Sequence, residues 1–202
     1  MPPQTKINLT YVIEHLEPET GEWLLIEYTS ASEIVGKKHL TFTNVKKADD
    51  AKKLSKLGTV ESKSFVEIFK SQHTVILDPK AETPLTPEDF KGKTAVVIGG
   101  ILGDQPPKGR TQALLANRIP NATIRNLGKG QFTIDGAVYV AKLVSEGRKL
   151  EQFSVKNGLT IRTSRYHSFH VPYAFPLKNG KPVIHKALVE YLRGELNSKN
   201  SS

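Results

Sequence analysis

Twice in the second half of the chain a short apolar run breaks at glycine and gives way to a helix-forming segment. This layout constrains the fold more than any other feature. The first instance is Val96-Val97-Ile98-Gly99-Gly100-Ile101-Leu102-Gly103-Asp104-Gln105-Pro106-Pro107, and the second is Ala122-Thr123-Ile124-Arg125-Asn126-Leu127-Gly128-Lys129-Gly130-Gln131-Phe132-Thr133-Ile134-Asp135. A short apolar run bounded by such turn residues is the pattern of a buried strand. Glycine at its end leaves bare main chain at the carboxyl end of the strand, where open α/β sheets bind ligands. It also removes the Cβ that would hold a ligand off the backbone.

The same alternation recurs upstream. Residues 10–15, 40–45 and 74–77 are short and β-branched, as buried strands are. Residues 22–35 carry Trp23, Leu24, Ile26, Ala31, Ile34 and Val35 and stop at Gly36, which predicts a helix. Residues 48–57 set Ala51, Leu54 and Leu57 on one face of a second helix ended by Gly58. Residues 64–69 read as a further short helix, and Thr86-Pro87-Glu88-Asp89 as a helix start. Strands at 95–98 and 122–127 are each followed by a helix, at 110–118 and 134–146. Strands alternating with helices predict an α/β fold, a mostly parallel sheet with helices on both faces.

Beyond residue 155 the pattern changes. Segments 159–163, 170–175 and 182–184 read as strands, Asn179-Gly180 as a hairpin turn and 186–196 as a closing helix. The expected organisation is a single domain over residues 1–202, with a C-terminal β-hairpin and helix extension at 155–196 and a frayed polar tail at 197–202.

The formal charge is +9, with 29 Lys and Arg against 20 Asp and Glu. That excess favours an anionic partner such as RNA or a ribosomal surface; the plain alternative is a solvated lysine-rich exterior. It is spread along the chain in short clusters, such as Lys46-Lys47, Lys52-Lys53 and Arg162 with Arg165. Cysteine is absent, which excludes thiolate chemistry and accords with a reducing, cytoplasmic setting. No apolar run approaches the roughly 18 residues that cross a bilayer, so no membrane partner is expected. The dinucleotide and P-loop glycine patterns, zinc-type histidine spacings and the G-x-S-x-G elbow are all missing. No metal is expected. Three loops remain as candidates: Asp78-Pro79, residues 99–107 and residues 127–133.

Four stretches carry a family resemblance: residues 11–23, Leu77-Asp78-Pro79-Lys80-Ala81, residues 99–111 and residues 125–138. In order they supply Ile-Glu-His, Glu-Trp, Leu-Asp-Pro, Gly-Gly-Ile-Leu-Gly-Asp with Pro-Pro and Arg-Thr, then Leu-Gly with Gln and Asp. The chain resembles the SPOUT-class methyltransferases, within them the archaeal and fungal branch whose yeast member methylates an arginine of a small-subunit ribosomal protein. The resemblance implies a deep trefoil knot within residues 74–150, a feature rare enough that local pattern never shows it. It also implies S-adenosyl-L-methionine held by the knot loops. The matching positions are Leu77 and Asp78 on the first loop, Gly100, Ile101, Leu102, Gly103 and Asp104 on the second, and Leu127, Gly128, Gln131, Phe132 and Thr133 on the third.

A carboxylate near the reacting centre takes the proton released by the acceptor. Asp104 is the first candidate and Glu14 the second, with His15, Glu27 and Arg110 as candidate substrate-binding residues. Each has a structural alternative. The glycines form a tight turn, Asp104 caps a helix, Glu14 and His15 pair at a strand end, Trp23 joins the core, Arg110 braces a loop, and Gln131 and Thr133 cap a helix. The chain departs from the family pattern at Phe132, Ile134 and Gly136, where Met, Thr and Thr are expected. Gly136 weakens its helix by roughly 1 kcal/mol relative to alanine unless it permits close packing.

The leading expectation is an S-adenosylmethionine-dependent methyltransferase acting, as a monomer, on an arginine of a ribosomal protein. One alternative keeps the enzyme and makes ribosomal or transfer RNA the acceptor. Another, from a different class, is a basic RNA- or ribosome-binding protein without chemistry.

Overall fold

Apolar side chains that alternate in direction but not in polarity require the central strands to be covered on both faces. The computed structural model of the chain describes residues 9–103 and 110–199. In chain order its elements are β1 (Thr10–His15), α1 (Glu22–Val35), β2 (Leu40–Thr43), α2 (Ala48–Leu54), β3 (Thr59–Val60), α3 (Phe65–Ile68), β4 (Thr74–Leu77) and β5 (Ala95–Gly100). There follow α4 (Arg110–Leu114), β6 (Thr123–Arg125), α5 (Ile134–Ser145), β7 (Val155–Arg162), β8 (Ser168–Lys178), β9 (Lys181–Pro182) and α6 (Lys186–Lys199). The first sheet runs β3-β2-β1-β5-β4-β6 with every pairing parallel. All its strands therefore end at one edge, and the three candidate loops leave from that edge.

The expected two-sided cover is present. On one face Tyr11, Ile13, Val75, Leu77, Val96 and Ile98 pack with Leu24, Tyr28 and Ala31 of α1 and with Val138, Ala141 and Val144 of α5. On the other, Val12, Ile76, Ala95 and Val97 meet Phe65, Leu115 and Ile119. Each fully buried aliphatic or aromatic side chain contributes about 1.5–3 kcal/mol.

Several boundaries differ from the sequence expectation. Segment 110–118 divides into α4 and a 3-10 turn, Ala116–Arg118. β3, only two residues long, has no periodicity to read. β7 and β8 extend well beyond their apolar cores, across a bulge between Asn157 and Leu159. There Gly158 has φ 73°, and a Cβ on it would lie 2.7 Å from the His170 ring. α6 runs past Leu196 to Lys199. Gly136 does permit close packing: a Cβ there would sit 2.8 Å from the Thr133 hydroxyl oxygen and 3.4 Å from Pro176 Cδ.

The C-terminal sheet, β7-β8-β9, has its own small core. Ile161, Val171 and Phe175 pack with Leu188 and Leu192 of α6 and against Trp23 and Ile26 of α1. Trp23 meets Phe169 edge-on at 6.4 Å between ring centroids. Helix α1 is thus shared by both cores. No helix among the described residues is long and apolar enough to cross a membrane.

At the end of β5 the paired glycines have separate reasons. A Cβ on Gly100 would overlap the Tyr28 hydroxyl and lie 2.8 Å from the Glu14 carbonyl oxygen; one on Gly99 would meet nothing closer than Leu115 Cδ1 at 3.4 Å. Overpacking of this kind costs about 1–3 kcal/mol. In urea melts Gly100→Ala is therefore expected to lose stability in that range, and Gly99→Ala distinctly less. Equal losses would contradict the packing described.

Candidate active site

The three loops close around one cleft. Its apolar walls are Leu77, Ile98, Ile101, Leu127, Phe132, Ile134 and Ala137, and its polar side chains are Asp78, Thr111, Gln131 and Thr133. Backbone at Pro79, Gly99 and Gly130 completes it. Its empty space, counted out through the open mouth and including solvent there, is about 550 Å³.

Asn126 stitches the first loop to the third. Its amide N–H donates to Thr83 O (2.9 Å), its side-chain amide donates to Ala81 O (2.8 Å), and its carbonyl accepts from Leu85 N–H (2.9 Å). Arg125, just before it, donates through Nε to Asp89 Oδ1 at 2.9 Å, with Nη2 2.7 Å from the same oxygen. At the far end of the third loop, Thr133 caps α5 by accepting from Gly136 N–H. Glu27 reaches across from α1, and its Oε2 accepts the Ile134 N–H at 2.8 Å. The other oxygen accepts Trp23 Nε1–H at 2.6 Å.

Glu27 is buried, 2% exposed, near Asp135, which is equally buried. Burial first and the Asp135 charge second push Glu27 up to about 8, although the two N–H donors favour its ionised form. Burial raises Asp135 as well. The pair therefore holds a proton near neutrality, since two adjacent carboxylates in a dry site do not both ionise readily.

The second loop is braced from the same helix. Tyr28 donates its hydroxyl to Gly100 O at 3.4 Å, and His15 Nδ1 lies 3.1 Å from that hydroxyl. Burial outweighs the pull of Asp50 and lowers the His15 pKa, so the ring is neutral at pH 7 and its 3.9 Å approach to Asp50 is not an ion pair. Glu17 accepts the Leu102 N–H at 2.9 Å.

Of the residues expected to touch cofactor, Leu77, Asp78, Ile101, Leu127, Gln131, Phe132 and Thr133 line the cleft; Gly100, Leu102, Gly103 and Gly128 are not among its lining residues. The space a Cβ would take on Gly100 and on Gly103 is filled by this protein's own Tyr28 and by Gln131 with Tyr173. Close packing is thus one reason for glycine at both positions. Gly128 has φ 93° and open space around it, so its reason is the turn.

Glu14, the second candidate acid, is not among the lining residues of the cleft. It is fully buried and accepts from Thr43 Oγ1, Ser64 Oγ and Phe65 N–H, with Arg118 3.8 Å away. Those donors engage both of its oxygens. Glu27 and His15 are likewise engaged inside the fold rather than on the cleft wall. Asp104 lies outside the described residues, and so does the side chain of Arg110. Sequence reasoning missed Thr111, which α4 brings to the cleft, and Ile98, Ile134 and Ala137, whose apolar character reads as core. Among the described residues no cluster of His, Asp and Glu is arranged to hold a metal ion.

Comparison with known proteins bears on this cleft. The family model for protein arginine N-methyltransferase SFM1-like proteins matches residues 10–199. Protein arginine N-methyltransferase SFM1 of Saccharomyces cerevisiae is 30% identical over 202 residues, covering 92% of this chain and 94% of its own. The crystal structure of the yeast enzyme complexed with S-adenosylmethionine superposes with a TM-score of 0.85 at 27% identity, over 96% of this chain and 93% of that one. The likeness to the dual-specific Trm10 of Thermococcus kodakaraensis concerns the fold alone: TM-score 0.54, 17% identity, 71% of this chain and 96% of that one.

Glu27 generates a test with a definite sign. Its unfolded pKa is 4.5 and its folded value about 8. The unfolded state therefore releases this proton first, and the group's contribution to stability is lost as pH rises from the ordinary carboxylate range through about 8. Urea melts of the native protein between pH 5 and pH 8 are expected to fall more steeply than those of Glu27→Gln. Glu27→Ala, which strands two buried N–H donors at about 1–3 kcal/mol each, is expected to weaken both stability and binding of S-adenosylmethionine. Parallel pH profiles for the native protein and Glu27→Gln would refute the assignment.

Proposed function

The chain belongs to the family of SFM1-like protein arginine N-methyltransferases, and from that premise we propose that it methylates an arginine of a ribosomal protein, using S-adenosyl-L-methionine as donor. The observation that carries this reading is the single cleft shared by three loops at one sheet edge. Its residues suit the donor. Leu77, Ile98, Leu127 and Phe132 form apolar walls for a purine, with main chain beside them for its polar edge. Asp78 is 3% exposed; its Oδ1 accepts Lys80 N–H, and Oδ2 makes no hydrogen bond among the described residues, leaving it for a hydroxyl donor. Gln131 Oε1 is buried and has no hydrogen-bond partner among the described residues, a state that a ligand N–H relieves.

Bound there, S-adenosyl-L-methionine supplies the methyl group: its S–CH3 bond breaks as the N–CH3 bond forms, S-adenosylhomocysteine departs, and a guanidinium proton goes to a base. This chain's part is to align and to neutralise. Oriented reactants gain roughly 7–11 kcal/mol of the barrier. Arginine is cationic, with a pKa above about 12, and so is a sulfonium, so a carboxylate is needed beside them. Asp104, which follows Gly103 in the second loop, is the carboxylate we assign to that role, and Asp78 is the acid on the cleft wall. Glu14 and Glu27, with their oxygens engaged, are not assigned.

The remaining parts of the proposal rest on the resemblance and on packing. The loops cross in a trefoil knot within one methyltransferase unit, and Asn126, bonded to both Ala81 and Thr83, accords with that threading. The enzyme works as a monomer, because Trp23 and Ile26 of α1 are already covered by the extension. It works in the cytoplasm, where a ribosomal acceptor is made. The net charge of +9 repels a free arginine-rich peptide and suits an acceptor carried with RNA.

The test uses donor labelled in the methyl group with ribosomal subunits as acceptor. The label is expected in protein, released by acid hydrolysis as methylarginine, and Asp104→Ala is expected to lower transfer while leaving donor binding by calorimetry near the native value. Nuclease-sensitive label would make RNA the acceptor, and unchanged transfer by Asp104→Ala would remove that residue from the mechanism.

A further inference from the structure

The excess positive charge, scattered in short clusters along the chain, is uneven once the acids are counted. From Gln152 to Val189 there is no Asp or Glu, while Lys156, Arg162, Arg165, Lys178, Lys181 and Lys186 fall inside that stretch. Six of the nine excess charges therefore lie within residues 152–189, and the rest of the chain, with 23 Lys and Arg against 20 Asp and Glu, is nearly balanced.

The fold concentrates them further. β7 and β8 pair antiparallel, with Leu159 opposite Val171 and Ile161 opposite Phe169 turned toward the small core. The alternate pairs, Thr160 with His170 and Arg162 with Ser168, are exposed. At the tip Arg165, Tyr166 and His167 are exposed as well. Arg162 donates through Nη2 to Arg165 O at 3.1 Å, and Arg193 of α6 donates through Nε to Arg162 O at 3.3 Å. These bonds bring three guanidinium-bearing residues together, and among the described residues no carboxylate pairs with any of them. Tyr166 is 81% exposed, with the Arg165 guanidinium 5.5 Å from its ring centroid.

The base of this hairpin is fastened to the cleft. Ala174 N–H donates to Gln131 O at 2.8 Å, Phe132 bridges Ala174, and the Tyr173 hydroxyl donates to Gly103 O at 2.7 Å. The hairpin is thus an arm continuous with the second and third loops.

We propose that the β7–β8 hairpin is a docking arm for single-stranded RNA, with Arg162, Arg165 and Arg193 on phosphates and Tyr166 as a stacking platform for a base. An acid-free basic face attracts any polyanion. The exposed ring beside a guanidinium selects RNA over an acidic peptide, because stacking on aromatic and arginine planes is how unpaired bases are held. Phosphate contact makes the binding salt dependent. The arm's chemistry is independent of the proposed ribosomal acceptor. Its consequence rests on that proposal: RNA held by the arm would bring its bound protein to the cleft.

The experiment is fluorescence anisotropy of the full chain with a labelled single-stranded RNA dodecamer over a salt series. The native protein is expected to lose affinity linearly in log salt. Arg162→Gln with Arg165→Gln is expected to bind at least about tenfold more weakly at low salt, with a salt slope reduced by about 1–2. Tyr166→Ala is expected to weaken binding at least about fivefold with its slope unchanged. Calorimetric titration of the same variants with S-adenosylmethionine checks that the cleft is intact and reports on the methyltransferase reading separately. If the arginine pair binds RNA like the native protein, or if Tyr166→Ala is silent and polyglutamate of matched charge competes as well as RNA, the proposal is overturned.

Discussion

The first turn of α5 is held by a carboxylate shut away from water. Glu27 accepts the Ile134 N–H and the Trp23 indole N–H from inside the α1–α5 contact, at the helix end whose dipole favours negative charge. Burial and the neighbouring Asp135 work against that charge and keep a proton nearby. The balance matters because Thr133, Ile134 and Ala137, at the same helix start, are part of the cleft wall. If Glu27 were removed, the Ile134 N–H at the end of the third loop would lose its acceptor on α1. The next residue of that helix, Tyr28, reaches Gly100 in the second loop, so one helix positions two of the three loops. The first loop is tied to the third through Asn126. Cleft geometry is therefore a property of α1 packing, and α1 in turn is covered by the C-terminal extension through Trp23 and Ile26.

Charge is partitioned in the same way. Glu14, Glu27 and Asp135 are buried and hydrogen-bonded, while the basic residues of the extension face outward. A protein that must bring a cationic donor to a cationic acceptor needs few, well-placed carboxylates at the cleft. In the function proposed here, the basic arm would repel free cationic peptides and favour acceptors that arrive with compensating phosphate.

The fold was legible where glycine and β-branching mark boundaries sharply. The limits of β1, α1 and β4 coincide with those read from residues 10–15, 22–35 and 74–77, because Gly36, at φ 84°, ends α1 and the strands are uninterrupted apolar runs. The hairpin was only half legible, since the Gly158 bulge breaks the alternation that would have shown β7 running back to Val155. At the site, the loops were readable and the acids were not. Glu14 continues the same strand face as Val12, and an acid at such a position has to be buried and satisfied by partners; that signal was available in the sequence. The role of Glu27 was not, because one of the two N–H groups it serves, that of Ile134, lies 107 positions away. Nor does the sequence reveal that the open side of Gly100 is taken by Tyr28.

The central claim is that residues 77–79, 98–103 and 127–137 form one cradle for S-adenosylmethionine. Amide hydrogen exchange with and without the donor tests it most directly. The account predicts that the donor slows exchange in peptides from all three segments together, the Ile134 amide at the start of α5 included, and leaves β7 and β8 beyond Tyr173 unchanged. Protection confined to one segment, or none in any of them at saturating donor, would contradict it.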